Sequence, residues 1–247
     1  MRFVLITIIP SGESLGVPIP PFITKHVTNN CRGEHIHHGY FLESTDTKEK
    51  AQIQLIQLLL ERSKVPAGST VLDVGCGIGG TSRYLAKEHG CHVTGVTISG
   101  RQVEIAKKLS SELPGSTISE KDGTVKIGEG SVRFLELDAE KMGDFFTEEE
   151  NMATFDVAWI SEAMSHLPNK ELFFRNAALL LNPGGKLVIA DWFKNEGLSE
   201  KEMDADIKPI EGMVPCPLVI KWVVLMKQME CCFLRSVAKW TMSSSRK

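Results

Sequence analysis

A glycine-rich segment at residues 71–80, V-L-D-V-G-C-G-I-G-G, constrains the fold of this 247-residue chain more than any other feature. The apolar run Thr70–Val74 that leads into it is typical of a strand buried on both faces of a sheet. The glycines that follow allow the backbone to approach a ligand closely, and the N-terminus of a helix attracts negative groups. The segment therefore predicts a strand, a ligand-binding loop and a helix, in that order.

The rest of the chain predicts that this strand belongs to a parallel sheet. Apolar runs predict four further strands, near 91–96, 132–137, 155–160 and 186–190, with amphipathic helices between them. Strands that alternate with helices form parallel βαβ units, whose right-handed crossovers place helices on both faces of the sheet. We therefore predict a single α/β domain with a Rossmann-like, doubly wound, mostly parallel sheet. The polar, glycine-rich residues 114–130 are predicted to form a long surface loop.

The residues before the glycine segment give a weaker signal. Residues 1–30 show no sustained period and are predicted to be an irregular N-terminal segment, so that the domain covers residues 31–247. A helix is predicted to begin near Asp46, with Asp46 and Glu49 in capping-box positions. The apolar stretch at residues 3–9 is short for a signal peptide and lacks a small-residue cleavage site.

Composition and charge exclude several classes of protein. Hydrophobic residues make up 42% of the chain and charged residues 24%, which is ordinary for a globular protein. The net charge of −3 gives no basic field for a nucleic acid. No apolar stretch reaches the roughly 18 residues that a membrane span needs. The six cysteines include no C-x-x-C pair, which favours a reducing compartment. We expect a soluble, cytoplasmic protein with a small-molecule substrate, no nucleic-acid partner and no integral membrane segment.

The glycine segment also matches the G-x-G-x-x-G dinucleotide fingerprint through Gly75, Gly77 and Gly80, a pattern that is weak by itself. Two features disfavour a dinucleotide-dependent oxidoreductase. The carboxylate of Asp73 would repel a pyrophosphate but attract an ammonium or sulfonium group. The second strand ends in Gly-Val-Thr at 95–97, without the acidic residue that binds the ribose of a dinucleotide.

The glycine segment resembles the first motif of the class I S-adenosylmethionine-dependent methyltransferases. Three other motifs, H-I-H-H-G-Y-F at 35–41, G-V-T-I-S at 95–99 and E-A-M-S-H at 162–166, are similar to one branch of that family. The branch holds the tocopherol, sterol and alkaloid methyltransferases and the cyclopropane fatty-acid synthases. In this branch threonine often replaces the acid at the end of the second strand. The resemblance runs from about residue 33 to about residue 213.

The resemblance implies that S-adenosylmethionine is the cofactor and that several motifs bind it. The residues implied for an N-terminal flap over the cofactor are His37, His38 and Tyr40. For the methionine end of the cofactor the implied residues are Asp73, Gly75 and Gly77, with Cys76 as a small loop residue. For the ribose they are Thr97 and Gln102, with Ile98 beside them. Asp138 and Ala139 are implied for the adenine, and Ser161 for the transferred methyl.

Some of these residues have other interpretations. Gln102 could serve only as the capping-box partner of Ser99, and Asp138 could be a turn residue at the end of a strand. The histidines at 35–38 could suggest a metal, but no acidic residue lies at ligand spacing nearby, so no metal site is predicted.

Two residues after the fourth strand are candidates for catalysis. A hydroxyl or amine acceptor loses a proton during methyl transfer, so a base accelerates the reaction by about 10²–10⁴-fold. His166 is the candidate base, with Glu162 four residues earlier as its orienter or as a second acid. Alternatively, His166 caps or packs against the helix that is predicted to begin near Pro168. In carbon-methylating or cyclopropanating relatives, the resemblance implies that this position helps to hold a carboxylate or bicarbonate.

The C-terminal part of the chain departs most from these relatives. The irregular apolar stripe at about 197–230 predicts either a helical lid over the substrate or a buried core helix. The relatives usually continue with two edge strands, but residues 225–240 show no pair of alternating strands. We therefore expect an uncovered sheet edge, and a homodimer through that edge could compensate.

These observations together predict an enzyme. It would transfer a methyl group from S-adenosylmethionine to an oxygen or nitrogen of a small, largely apolar metabolite of the natural-product, alkaloid or phenol type. One alternative is carbon methylation of a sterol- or tocopherol-like lipid. The other is a catalytically impaired subunit that binds the cofactor and methylates nothing.

Overall fold

The structure, a computed structural model, describes residues 2–8, 34–192, 199–202, 204, 205 and 208, which form one eight-stranded sheet and the helices around it. The strands are β1 (Arg2–Ile8), β2 (Thr70–Val74), β3 (His92–Thr97), β4 (Thr117–Ile118), β5 (Val125–Ile127), β6 (Gly130–Glu136), β7 (Phe155–Ser161) and β8 (Leu181–Trp192). The helices are α1 (Lys48–Ser63), α2 (Gly80–His89), α3 (Gly100–Ser111), α4 (Met142–Phe145), α5 (Lys170–Leu180) and α6 (Glu200–Glu202).

The order of the strands in the sheet is β1-β8-β7-β2-β3-β6-β5-β4. The five strands predicted from apolar runs, β2, β3, β6, β7 and β8, lie side by side and pair in parallel. From β2 the chain moves outward through β3 to β6, and it starts again with β7 on the other side of β2. The strand order therefore reverses at β2, and the predicted Rossmann-like α/β domain is confirmed.

Alternate side chains of the central strands enter two separate cores. Val71 belongs to a core that α1, α2 and α3 cover, whereas its neighbour Leu72 belongs to a core that α4 and α5 cover. Trp159 and Ile160 on β7 repeat this alternation, and both are fully buried. Burial on both faces explains why these strands have continuous apolar runs in the sequence rather than alternating ones.

Residues 114–130, predicted to be a surface loop, instead contain an antiparallel ribbon. β4 pairs with β5, and β5 pairs with β6 near the edge of the sheet. Val125 and Ile127 are buried while Lys126 between them is exposed, as expected for a strand with one solvated face. Strands of two and three residues are too short to produce a periodic pattern, and for that reason the loop prediction was wrong.

The N-terminal segment, predicted to be irregular over residues 1–30, contains the strand β1. This strand pairs in parallel with β8 over its seven residues, beginning with Arg2 opposite Lys186. Because β1 covers the edge of β8, the prediction of an uncovered edge at that strand was wrong.

Two predictions fall on the C-terminal part of the chain. The lid at about 197–230 and the missing edge strands at 225–240 lie almost entirely outside the described residues. After residue 192 the structure describes residues 199–202, 204, 205 and 208, so both remain predictions.

The helix that precedes the glycine segment begins one or two residues later than predicted. Thr47 caps α1 by accepting a hydrogen bond from the N–H of Lys50 at 3.2 Å. Asp46, the predicted cap, instead accepts hydrogen bonds from the N–H groups of Leu42 and Glu43. Thus Asp46 closes the turn before α1, and Thr47 caps the helix instead.

Within the described residues, no helix is long and apolar enough to cross a membrane.

Replacing residues 3–8 by alternating glycine and serine should lower the melting temperature and promote self-association, because β8 then loses its partner strand. We expect a decrease of about 5 °C or more, which corresponds to roughly 1–2 kcal/mol for a chain of this size. Thermal melts and light scattering after size-exclusion chromatography measure both effects. The same replacement at residues 119–122, in the turn between β4 and β5, is the control. A β1 variant that melts with the parent and keeps its oligomeric state would contradict the role of β1.

Candidate active site

A cavity of about 650 Å³ opens at the carboxyl ends of β2, β3, β6 and β7. A doubly wound sheet binds ligands at this place, where the strand order reverses. The volume lies within the range of about 300–1,000 Å³ that is typical of small-molecule sites. The cavity is lined by these predicted site residues: His37, Asp73, Gly75, Cys76, Gly77, Thr97, Ile98, Gln102, Asp138, Ala139, Ser161, Glu162 and His166.

The glycine loop, residues 75–80, follows β2 and forms one wall of the cavity. The N–H group of Gly75 donates a 2.9 Å hydrogen bond to the carbonyl of Val96 on β3. Gly75 and Gly77 have left-handed backbones, with φ of 73° and 55°. A Cβ atom on Gly75 would lie 2.3 Å from the Cβ of Ala163, so close packing also requires glycine here. The loop therefore presents backbone rather than side chains to a ligand.

Asp73, the fourth residue of β2, brings a buried carboxylate to the cavity wall. The residue is 3% exposed, and its Oδ2 accepts a 2.6 Å hydrogen bond from the hydroxyl of Ser82 on α2. Burial raises the pKa of Asp73 to about 6, and the hydrogen bond from Ser82 opposes this shift only in part. Within the described part of the chain, no cation forms an ion pair with this carboxylate. A bound cation could therefore balance its charge.

Thr97 and Gln102 form a polar pair at the end of β3. The hydroxyl of Thr97 donates a 2.6 Å hydrogen bond to Oε1 of Gln102. The backbone N–H of Gln102 also donates to the hydroxyl of Ser99, the N-cap of α3, at 3.4 Å. Gln102 thus takes part in the helix cap through its backbone, while its side chain joins Thr97 in the cavity wall.

Asp138 and Ala139 follow β6 and line the next part of the cavity. Oδ1 of Asp138 accepts a 2.9 Å hydrogen bond from the N–H of Glu140, which closes a turn. The side-chain amide of the buried Asn176 on α5 donates to the carbonyls of Ala139 and Glu140, at 3.4 and 3.0 Å. Asp138 is therefore both a turn residue and a residue of the cavity wall.

The histidine segment, residues 35–40, lies against the first turn of α1. The N–H of Tyr40 donates to the carbonyl of Ala51 at 2.8 Å, and a Cβ atom on Gly39 would lie 2.5 Å from that of Ala51. The buried side chain of Gln52 donates to the carbonyls of His35 and His37. These contacts fix the backbone of the segment. His37 lines the cavity, whereas Tyr40 packs against the core and His38 is not among the lining residues.

The ring of His37 has a defined tautomer. Its Nδ1 lies 2.7 Å from the carbonyl oxygen of His38, which can only accept, so Nδ1 carries the proton and Nε2 has a free lone pair. Burial lowers the pKa of His37, and burial lowers the pKa of His35 to about 4, with a further contribution from His37 and Arg83. Both rings are therefore neutral at pH 7.

Glu162 and His166, the predicted catalytic residues, both line the cavity, but they do not act on each other. Oε2 of Glu162 lies 2.6 Å from Nδ1 of His38, and no hydrogen bond between Glu162 and His166 exists among the described residues. The prediction that Glu162 orients His166 was therefore wrong, because the hydrogen-bond partner of Glu162 is His38. His166 is exposed at the rim, and its backbone N–H donates to the carbonyl of Ala163 at 3.1 Å.

Sequence reasoning missed Arg83, which ties the glycine loop to the N-terminal part of the chain. This arginine is 3% exposed. It donates to the carbonyl of Ile78 at 2.7 Å and to that of Glu34 at 3.4 Å. Arginine is rarely buried, so its position on α2 gave no signal. Ser82, the partner of Asp73, was also missed, although a small polar residue on the buried face of a helix was a usable signal.

Cys76 and the histidines are the side chains for which a nucleophile or a metal site was considered from the sequence. Burial raises the pKa of the Cys76 thiol, which disfavours the reactive thiolate, and the role of Cys76 as a small loop residue stays a prediction. Among the described residues, no group of three or more histidine, cysteine, aspartate or glutamate side chains could hold a metal ion.

The doubly wound sheet, the glycine loop and the buried carboxylate define a protein that binds a small molecule at the switch point. The model of the methyltransferase domain family matches residues 46–235, which is more than half of the chain. The O-methyltransferase rstn1 of Aspergillus nomiae is 32% identical over 210 residues, and the alignment covers 84% of each chain. This chain therefore belongs to the methyltransferase domain family.

Other known proteins share part of the sequence or the fold. The 2-methyl-6-phytyl-1,4-hydroquinone methyltransferase of Synechocystis sp. is 35% identical over 165 residues, which are 65% of this chain but only 45% of that enzyme. Among solved structures, the [4+2]-cyclase SpnF has a TM-score of 0.59 and 24% identity, covering 79% of this chain and 63% of that one. The cyclopropane synthase MmaA2 of Mycobacterium tuberculosis has a TM-score of 0.57 and 21% identity, covering 81% and 65%. These two structures show a common fold alone.

Asp73→Asn should stabilise the protein at neutral pH and lose this advantage near pH 4. The native pKa of about 6 lies above the value of about 3.9 for an unfolded chain, so the native state holds the proton between these two values. The stability of the parent therefore falls as the pH rises through this window. A difference of about two pKa units corresponds to roughly 3 kcal/mol. The melting temperature of the variant, relative to the parent, should therefore rise by roughly 6–12 °C between pH 4 and pH 6 and then stay level. Thermal melts from pH 4 to pH 8 measure this difference.

Asp156 near the start of β7 provides a control of opposite sign. Hydrogen bonds from Asn182 and Thr70 lower its pKa, so its stabilising contribution is present at neutral pH and is lost as the pH falls through the lowered native value. Asp156→Asn should therefore destabilise the protein at pH 7 and do so less at pH 3. The same pH trend in both variants would contradict the description of Asp73 as a buried carboxylate without a cation.

Proposed function

We propose that this chain is an S-adenosylmethionine-dependent methyltransferase that acts on an oxygen or nitrogen atom of a small, largely apolar metabolite. The observation that carries the proposal is the buried carboxylate of Asp73 beside the glycine loop. S-adenosylmethionine has an ammonium and a sulfonium, and a cation is what this carboxylate needs. A dinucleotide would bring a pyrophosphate to the same loop, where it would be repelled.

The proposed positions of the cofactor follow the walls of the cavity. The glycine loop and Asp73 would hold the methionine part, Thr97 and Gln102 the ribose hydroxyls, and Asp138 with Ala139 the adenine. Ser161 would border the transferred methyl. Its hydroxyl is buried and has no hydrogen-bond partner in the described part of the chain, which supports a contact with a ligand there.

The acceptor would enter beside an apolar rim. Ile36 and Ile98 line the cavity and yet remain 52% and 75% exposed, and Leu167 and Pro168 also line it. Exposed apolar side chains around a cavity favour an apolar ligand. One relative is named for a phytylated hydroquinone, which supports a phenol-like acceptor. Another is named an O-methyltransferase, which supports an oxygen nucleophile.

The chemistry requires alignment and removal of a proton. When bound, S-adenosylmethionine supplies a methyl group on sulfur that is already a good leaving group. The chain would align the acceptor with this methyl and exclude water, and a base would take the proton from a hydroxyl or amine. His166 as that base remains a prediction, and its position at the rim supports a contact with the acceptor.

Gly77→Val should abolish the binding of S-adenosylhomocysteine. The left-handed backbone, with φ of 55°, disfavours any side chain, and a Cβ atom would lie only 3.0 Å from Cδ1 of Ile36. We also expect Asp73→Ala to weaken binding by about tenfold or more, because it removes a charge-assisted contact. Titration calorimetry measures both dissociation constants.

Gly115→Val is the matched control for Gly77→Val. Gly115 has a φ of 76°, but a Cβ atom there meets nothing within 4 Å, and the residue does not line the cavity. This variant carries the backbone penalty without touching the site, so it should bind S-adenosylhomocysteine as the parent does. Unchanged affinity in a folded Gly77→Val protein would refute the cofactor site.

His166→Ala should lower turnover by about 10²-fold while the affinity for S-adenosylhomocysteine stays nearly constant, because in this proposal the residue acts on the acceptor and not on the cofactor. Steady-state kinetics over pH 5–9, with a phenolic acceptor found by product analysis, measure this effect. His92→Ala is the control, since His92 lies at the opposite end of β3 and bonds to Ser131. Equal turnover in the parent and His166→Ala across that pH range would assign His166 to structure.

Three further parts of the proposal rest on the sequence. A cytoplasmic location, a homodimer and an active rather than impaired enzyme remain predictions. Methylated product from labelled S-adenosylmethionine and a metabolite extract would exclude the impaired subunit. Identifying the labelled atom would decide between oxygen, nitrogen and the alternative of carbon methylation.

A further inference from the structure

The turn after β7, residues 162–163, contains a strained residue that is not glycine. Glu162 has a left-handed backbone with φ of 53°, and its N–H donates a 2.7 Å hydrogen bond to the carbonyl of Ala190 on β8. Residues with a Cβ atom rarely adopt a left-handed backbone because it is sterically unfavourable for them, whereas glycine adopts it freely. A glutamate at this position therefore implies that its carboxylate does something that glycine could not do.

The carboxylate of Glu162, which lines the cavity, binds directly to the histidine segment. Its two oxygens lie 3.0 and 3.1 Å from the backbone nitrogen of His38, which donates to them, and Oε2 lies 2.6 Å from the ring Nδ1. The glutamate side chain is only 10% exposed. Charge-assisted hydrogen bonds of this length are strong where the side chain is mostly shielded from water. The interaction joins residues that are 124 positions apart in the sequence.

The segment that Glu162 grips covers the glycine loop. Cδ1 of Ile36 lies 3.0 Å from where a Cβ atom of Gly77 would be, and the carbonyl of Glu34 closely approaches Gly80. On the other side of the loop, Ala163, which follows Glu162, packs against Gly75. The turn after β7 thus contacts the glycine loop directly and also holds the segment above it.

The grip on His38 extends to the ring of His37. The carbonyl of His38 accepts the Nδ1 proton of His37, so fixing the backbone of His38 also fixes that ring. The Nε2 atom of His37 is buried and has no hydrogen-bond partner among the residues that the structure describes. If the segment loosened, the ring of His37 could rotate, and its Nδ1-protonated tautomer would no longer be fixed.

We propose that Glu162 is a positioning residue whose carboxylate latches the histidine segment to the turn after β7 and thereby slows the release of the bound cofactor. The identity of that ligand rests on the proposed function, whereas the latch itself is a contact within the chain. This role differs from that of an acid or of an orienter for His166, because it acts through His38. Loss of the latch should weaken cofactor binding without stopping the chemical step.

The experiment compares Glu162→Gln, Glu162→Ala, His38→Ala and the double variant of the last two. Two readouts are used: the dissociation rate of S-adenosylhomocysteine, and hydrogen exchange of residues 35–40 in the protein without ligand. Glu162→Ala should release the ligand about tenfold faster and speed exchange in the segment. Glu162→Gln should change the rate only about two- to threefold, because an amide oxygen still accepts from the N–H of His38. The double variant should be no worse than the worse single variant, because the two residues share one interaction.

Two controls separate the latch from general effects. Glu140→Gln changes another carboxylate of the cavity wall, which accepts from the N–H of Asn169, and it should leave exchange in the histidine segment unchanged. Glu162→Gly removes the carboxylate but suits the left-handed backbone, so it should melt at or above the temperature of Glu162→Ala while releasing ligand as fast.

Several results would overturn the proposal. One is a Glu162→Gln enzyme that loses about 10²-fold or more in kcat at saturating cofactor with unchanged S-adenosylhomocysteine binding, which would make Glu162 catalytic. Another is a Glu162→Ala protein whose residues 35–40 exchange as slowly as those of the parent, which would exclude the latch. If the parent does not bind S-adenosylhomocysteine, the proposed function fails instead. In that case the exchange rates of residues 35–40 still decide whether Glu162 latches the segment.

Discussion

Burying the Asp73 carboxylate at the carboxyl end of β2 costs free energy that the hydroxyl of Ser82 recovers only in part. Its place follows from the fold, because β2 is the central strand at which the order of the sheet reverses and a cavity opens. The rest of the site is arranged around this charge. The glycine loop beside it keeps side chains away, and a ligand that brings a cation would supply the missing partner. A buried carboxylate of this kind favours a cationic ligand and disfavours an anionic one.

The turn after β7 gives the walls of the cavity a common support. It bonds to β8 through the N–H of Glu162, packs on the glycine loop through Ala163, and holds the histidine segment through the Glu162 carboxylate. Arg83 adds a second tie, from α2 to the carbonyls of Ile78 and Glu34. A site whose walls share supports is held in one geometry before a ligand arrives, which lowers the entropic cost of aligning the reacting groups.

Much of the fold and of the cavity could be predicted from the sequence, and the physical reason is local. Strands buried on both faces produce continuous apolar runs, and the carboxyl ends of parallel strands meet at one edge, so the residues after β2, β3, β6 and β7 had to come together. The remainder depended on information that a local pattern does not contain. The apolar run at Arg2–Ile8 does not indicate which strand it joins, and β4 and β5 are too short for a period. The left-handed backbone of Glu162 and its pairing with His38 depend on tertiary contacts, so the sequence suggested His166 as the partner instead.

The most direct test of this account is the ionisation of Asp73 itself, followed by carbon-13 NMR of labelled aspartate with Asp73→Asn to assign the signal. Without a ligand, the carboxyl should titrate near the raised pKa of about 6. With saturating S-adenosylmethionine, a cation close to the carboxylate should lower that pKa to about 4 or below. A carboxyl that titrates near 4 without a ligand, or one whose pKa does not change when S-adenosylmethionine binds, would contradict the claim that an unbalanced buried carboxylate organises this site.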